Sequence, residues 1–448
     1  MNSDSNLLNF ILNVGKDRLQ NIAKWSLGMW IVYPLIIMLL NALGVEGIYI
    51  YLMWMYVLYF VGAIGLVVGL IRLFQVVYND DFEIKRYAIN YLPLLFLILF
   101  LIWSFVSCAL STNKHMAFYG MMPMTTSWFT FLFFGGFLVL SMVLSENRQL
   151  LLKTAKLFVW VSFVLAIVTL LDNGFSDMLT IVEPYTNCFH YQSVFYNTNH
   201  YAYYLLVSIL TSFFVALYSD DYKVKIVYIL PYVIGIVVLI YNNTLGAFLS
   251  LAITMLFILL WFIINKEERL SMVVSLIIIF CITIIVTSFF NDNLKVSLFG
   301  VTSDFSTIIG DDDVSMVGSG RGELWSNAID CIKSQPIFGC GFENHGTYSI
   351  GEDGTGLFVT APHNYFLFLG KHTGVPGLCF VLITFLIGII RLLKEKNKID
   401  GYSKSAAFII VAFLMSAFFG VVKFYTEPYF VIAMGVCMEE CTKFKNNI

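Results

Sequence analysis

The chain is a series of apolar runs about as long as a bilayer is thick. A helix rises about 1.5 Å per residue, so roughly 20 mostly apolar residues span the hydrocarbon. Twelve runs fit: 27–44, 48–70, 90–110, 122–144, 154–171, 199–218, 226–241, 246–264, 271–290, 368–390, 405–422 and 425–438. The seventh and the last are the shortest. Only helices or closed barrels satisfy their backbone inside lipid, and barrel strands are short and alternating. The expected fold is therefore all-α and polytopic, a single transmembrane domain over 1–448. Residues 1–24 read as an interfacial amphipathic stretch, and no small-residue cleavage site marks a removable signal peptide. With 59% hydrophobic and 12% charged residues, the chain lacks the charge to cover a soluble globule of 448 residues. The same composition excludes a disordered chain, a nucleic-acid binder and a secreted disulfide scaffold.

Charge sets the orientation. With the N-terminus inside and strict alternation, both termini are cytoplasmic and 20 of the 26 Lys and Arg residues fall inside. The outer six are Lys114, Lys295, Arg321, Lys333, Lys371 and Lys423. The 29 acids divide almost evenly, which leaves a basic inner face and an acidic outer one, as the positive-inside rule requires.

Two outer loops are long, 172–198 and 291–367, and the second precedes a late helix. Long loops in compact proteins are functional or disordered. Asp311-Asp312-Asp313 reads as a solvated stretch. Gly318-Ser319-Gly320-Arg321-Gly322 reads as a flexible turn, followed by a helix with Leu324, Trp325, Ala328, Ile329 and Ile332 at helical spacing, closed by Pro336.

All six histidines (His115, His190, His200, His345, His363 and His372) fall on the outer side or at outer helix ends. No His-x-x-x-His or carboxylate–His pairing sits on one helix, so no metal site is expected. The aromatics around them, Phe189 to Tyr204, read either as an interfacial belt or as a platform for sugar rings. Cys331 and Cys340 could pair, but no cysteine framework is present, and unpaired small apolar residues are expected.

Arg321 is the one outer arginine. At a helix start its planar fork suits phosphate oxygens. An ion pair with Asp311–Asp313 or Glu323 is the competing reading. His363 stands in Ala361-Pro362-His363-Asn364-Tyr365, where the loop re-enters the membrane. The next helix is interrupted by Gly370, Gly374, Pro376 and Gly377. Broken helices at membrane depth face protein or a cavity, so this segment is expected to line a pocket. There a histidine can orient or deprotonate a hydroxyl near neutral pH.

These residues resemble the signature of the O-antigen ligase and O-antigen polymerase family. Arg, three residues, Trp appears as Arg321…Trp325, and Pro-x-x-Gly-x-Gly as Pro336, Gly339 and Gly341. His-Asn, nine residues, Gly-x-x-Gly appears as His363-Asn364 and Gly374-Val375-Pro376-Gly377. Upstream, Phe195-Tyr196-Asn197-Thr198-Asn199-His200-Tyr201-Ala202 is similar to the family's Phe-x-Asn-x-Asn-x-x-Ala. The resemblance covers roughly 190–390. It departs at Asn242-Asn243-Thr244-Leu245-Gly246-Ala247, where the family often carries an arginine. Lys371 and Lys423 are the outer cations placed to replace it, with snorkelling structural lysines the other reading.

The resemblance implies an inverting, metal-independent glycosyltransferase of a bacterial cytoplasmic membrane, with its active site facing outside and no cofactor. The donor would be an oligosaccharide on undecaprenyl pyrophosphate, and the acceptor another glycan. Arg321 would hold the pyrophosphate and His363 the acceptor hydroxyl. Asn364, Asn199, His200, Trp325, Lys371 and Lys423 would contact substrate. Polymerisation of repeat units for a surface polysaccharide is the first expectation, alongside other polysaccharide assembly proteins. Ligation to a lipid core is the second, and a transporter the third. Against a transporter, no internal repeat is visible, and Lys371, Lys423 and Glu427 lie toward outer helix ends rather than at the midplane.

Overall fold

The structure is a computed structural model that describes residues 11–79, 92–120, 126–174, 191–195, 197–292, 317–343, 347–350, 356–359, 361–394, 400–420 and 424–443. Ten helices are long and apolar enough to cross a membrane. They lie in α1 (Lys16–Ala42), α2 (Gly47–Asn79), α3 (Leu92–Leu110), α5 (Trp128–Ser145), α6 (Arg148–Gly174), α7 (Thr198–Tyr218), α8 (Tyr222–Asn242), α9 (Leu245–Ile264), α10 (Leu270–Phe290) and α12 (Tyr365–Lys394). Two shorter apolar helices, α13 (Gly401–Ala417) and α14 (Glu427–Lys443), match the last two runs of the sequence. The protein is an all-α, polytopic membrane protein. Its seventh run is longer than its core suggested, because Asp221 caps α8 at the Lys223 N–H, 2.9 Å away.

The structure departs from the sequence reading, or adds to it, in three places. The first span does not begin near residue 27 but at Lys16, so the stretch read as interfacial is continuous with it over residues 16–24. Lys16 is held there by Glu146 at 3.1 Å. Secondly, the outer loops carry structure of their own. A short helix, α4 (Lys114–Tyr119), is capped by Asn113, which accepts the Met116 N–H at 3.1 Å. Strands β1 (Thr347–Ile350) and β2 (Gly356–Val359) pair antiparallel as a hairpin. Thirdly, the glycines before Arg321 are helical, as described below.

Helix burial sorts the bundle. Helix α7 is central, with every residue from Tyr201 to Leu210 buried. Helix α10 is peripheral, and Ile282, Ile285, Phe289 and Phe290 are exposed on it. In lipid the apolar effect does not drive helices together, so close packing must. Helices α2 and α5 achieve this through Gly62, Gly65 and Gly136, where an added Cβ would strike the facing backbone. An aromatic cluster fills the centre, with Trp54 packed on Phe195 at 5.4 Å and on Tyr425 at 5.2 Å between ring centroids.

Ion pairs gather helix ends into one face. Glu146 takes Lys16 and Arg72, Asp400 takes Arg148, Asp220 takes Arg269, and Glu267 takes Lys404. All these residues fall on the face that the charge distribution assigns to the cytoplasm. Arg321 and His363 belong to the opposite ends.

Candidate active site

The long loop folds back onto the broken helix. Helix α11 (Val317–Ser334) starts four residues before Arg321 and includes Gly318, Gly320 and Gly322. The expected flexible turn is thus the first turn of a helix. Glycine disfavours a helix only weakly, and tertiary contacts override that preference. The helix packs on α12, where Ile332 closes over Gly370.

Beyond α11 the chain docks by its backbone. Helix α12 breaks at Gly374, whose φ of 70° and ψ of 177° leave the helical region. A break exposes the last turn's carbonyls, and each left unpaired in an apolar site costs about 1–3 kcal/mol. The Pro336–Gly341 turn satisfies them. Cys340 N–H donates to the Lys371 carbonyl at 3.0 Å, and Gly341 N–H to that of His372 at 2.9 Å. Val375 N–H returns a bond to the Pro336 carbonyl at 2.8 Å. From α3, Ser107 donates to the His372 carbonyl at 2.7 Å, and the Trp103 indole to that of Thr373 at 3.0 Å. Gly339 (φ +65°) and Gly374 face each other so closely that a Cβ at Gly339 would lie 2.6 Å from the Gly374 nitrogen. The two glycine signatures of the sequence are therefore the two halves of one joint.

This joint fixes the histidine beyond it. Asn364 caps α12, accepting the Leu367 N–H at 3.0 Å, and its amide donates to the Phe418 carbonyl at 3.3 Å. His363, immediately before the cap, is half-buried with a φ of 49°. Both ends of the Asn364 carboxamide are thus spent on protein.

The Phe418–Gly420 turn after α13 is where the other signatures arrive. The Tyr203 hydroxyl of α7 fills the space a side chain at Gly420 would need. Arg321 lies within electrostatic reach of that same hydroxyl. Gly246, in the segment that departs from the family pattern, packs against Phe419. There Asn242 donates to the Tyr191 and Thr198 carbonyls at 2.8 and 3.1 Å, and so ties α8 to the start of α7. The Phe418–Gly420 turn is therefore met by Tyr203, which Arg321 influences, by Asn364, which follows His363, and by Gly246.

The other expected residues are placed as follows. His200 is buried and its Nδ1 lies 2.9 Å from the Tyr425 hydroxyl. Asn199 is half-buried in the first turn of α7, its N–H donating to Asn197 Oδ1 at 2.8 Å. Trp325 stands one turn beyond Arg321 on α11, and its buried indole N–H has no hydrogen-bond partner among the described residues. Lys371 is buried behind the joint, near Cys340. Burial pushes the Cys340 thiol up to about 12, against a smaller pull down from Lys371. Lys423, His190, His345 and Asp311–Asp313 lie outside the described residues. His372 is a packing residue, with Nδ1 bonded to the Phe368 carbonyl at 2.7 Å. Among the described residues no three His, Cys, Asp or Glu side chains form a metal-binding set.

Tyr203 and the Tyr365–Glu427 pair, joined by a hydrogen bond from the phenol to the carboxylate, carry no motif in the sequence that marks them. Tyr203 reads as one more belt aromatic, and only the fold shows where its hydroxyl lies.

Residues 230–382 match the family model for O-antigen ligase. That stretch is similar to the O-antigen ligase family. It runs from within α8 to within α12 and contains Arg321, Trp325, His363, Asn364 and Lys371. Tyr203, His200 and the Phe418–Gly420 turn lie outside the matched span. No curated protein matches the chain.

Proposed function

We propose that the protein polymerises oligosaccharide repeat units carried on undecaprenyl pyrophosphate, at the outer face of the cytoplasmic membrane of a bacterium. The observation that carries this reading is the approach of Arg321 and His363 to one turn, Phe418–Gly420, inside and beside the stretch that matches the O-antigen ligase family. Arg321 holds the donor pyrophosphate and stabilises the charge that grows on it as it leaves. His363 orients the acceptor hydroxyl and takes its proton. The hydroxyl oxygen attacks the anomeric carbon, and the carbon–phosphate-oxygen bond breaks. A single displacement of this kind inverts the anomeric configuration. The Trp325 indole N–H donates to the donor beside Arg321, while Asn199 and His200 border the sugar. Lys371 and Lys423 supply further positive charge for the phosphates.

A lipid-linked donor also needs room for its tail. A cavity of about 560 Å³ lies between α2, α3, α5, α12, α13 and α14. Its walls are almost wholly apolar, with Tyr365 and Glu427 among them, next to Asn364. Leu70, Leu73 and Ile98 on its rim are exposed, which opens it sideways to lipid. An isoprenoid chain can enter from the bilayer while its head group stays at the site.

The test is reaction of the purified protein with a defined undecaprenyl-pyrophosphate-linked repeat unit, read by product size. A ladder of polymer is expected, with each new linkage inverted relative to the donor. The description of the matched family favours one second reading, ligation. Transfer of a single glycan to a lipid core, with no ladder, would establish ligation instead. Absence of both products would remove the glycosyltransferase reading. Arg321→Ala and His363→Ala should each cut turnover about 100-fold or more at normal membrane levels.

A further inference from the structure

A second cavity opens at the opposite end of the bundle from Arg321. It encloses about 350 Å³ between α6, α7, α13 and α14, a volume within the range of small-ligand pockets. Its body is apolar, with Ile31, Leu144, Phe158 and Ile432 among its walls. Its mouth is polar, with Lys156, Tyr218, Ser219 and Tyr402. None of these groups takes part in the chemistry above.

The charges around the mouth are unevenly matched. Asp400 is taken by Arg148 at 2.7 Å, Asp220 by Arg269 at 2.8 Å, and Glu267 by Lys404. Lys156 pairs with no carboxylate among the described residues, and its ammonium stands 5.7 Å from the Tyr228 ring. The Tyr218 hydroxyl is buried and has no hydrogen-bond partner among the described residues. A cation without a carboxylate and a hydroxyl without a hydrogen-bond partner, among the described residues, thus line the same largely apolar space.

A hydrocarbon pocket beside a bilayer gains little from apolar burial, because lipid tails are equally apolar. Selection must come from the head group. An ammonium and a phenol hydroxyl suit a phosphodiester anion, and basic pockets between helices at the cytoplasmic end hold anionic lipid head groups. We propose that this cavity holds one anionic phospholipid of the leaflet at the Lys156 end. Its phosphate sits on Lys156 and Tyr218, and one acyl chain runs inward past Phe158. The lipid braces α13 and α14 against α6 and α7. The same two helices hold the Phe418–Gly420 turn at their other ends, so this lipid supports the site from across the membrane.

The full chain, purified in detergent, is titrated with phosphatidylglycerol, phosphatidylcholine or inorganic phosphate, and followed by native mass spectrometry and thermal unfolding. Phosphatidylglycerol should bind as one retained copy and raise the midpoint, because a ligand of the folded state stabilises it. Lys156→Gln should weaken that binding roughly five- to tenfold, the worth of one cation near an anionic lipid. Ala155→Trp, which fills the cavity, should abolish it. Normal elution on size exclusion shows that each variant is folded. Equal binding of phosphatidylcholine, displacement of the lipid by inorganic phosphate, or unchanged lipid binding in both variants would each overturn the proposal. Because none of these measurements uses the transfer reaction, their outcome is independent of the polymerase reading.

Discussion

Arg321 and Cys340 show how far a single residue's chemistry depends on its neighbours. Arg321 stands out in the sequence as the lone outer arginine, and the fold sets the Tyr203 hydroxyl within its electrostatic reach. Arg321→Lys keeps the charge but loses the planar fork, so it should recover only part of the activity lost in Arg321→Ala. Assaying both variants against one donor checks this. Tyr203→Phe should lower turnover more mildly, since it removes a hydroxyl but no charge. Cys340 reads in the sequence as a possible disulfide partner of Cys331, but both are free thiols in the structure. With its thiol raised to about 12 by burial, Cys340 is protonated at neutral pH and at pH 9. Alkylation of the folded protein should therefore spare it while modifying the more exposed Cys331, and unfolding should release it. Mass spectrometry after a timed iodoacetamide pulse reads the difference. Rapid labelling of Cys340 at pH 8 in folded protein would contradict the burial argument.

At the scale of elements, the decisive object is the joint between the Pro336–Gly341 turn and the break in α12. The sequence signals are clear on each side: a proline and two glycines after one helix, and Gly-x-x-Gly with a proline in another. They do not say that the two segments bind each other. That pairing follows from carbonyls of Lys371 and His372 that need donors. Gly374→Ala places a Cβ against the Ile337 carbonyl at a positive φ. It should cost about 2 kcal/mol or more, seen as a lower thermal midpoint or reduced membrane level. Asn364→Ala should cost about 1 kcal/mol through loss of the helix cap, and should lower activity further by loosening His363. Helix α11 is the element most altered from its sequence reading. Its apolar spacing is legible, but its start is not, because the glycines before Arg321 read as a turn by propensity and yet lie in the helix. The β1–β2 hairpin had a signal in Gly351-Glu352-Asp353-Gly354, turn residues between two short β-prone runs, which the membrane pattern overshadowed.

At the scale of the molecule, the alternation of twelve apolar helices and the ion pairs at one set of ends give the same two-sided body. A cysteine placed at His115, exposed on α4, should react with an impermeant maleimide from outside intact cells. One placed at Lys153 should react only after permeabilisation. The reverse pattern would invert the assigned orientation and put the site inside. The sequence by itself determined the class of fold, the number of apolar helices and the sorting of charge, because bilayer thickness and the cost of buried charge act on composition and run length alone. It also offered Arg321 and His363 as candidates, since rare cations and histidines on one side are visible without coordinates. Only the tertiary structure decided which distant segments meet. It alone brought Tyr203, Gly246 and Asn364 to the Phe418–Gly420 turn, because that convergence rests on backbone docking and van der Waals fit between helices far apart in the chain.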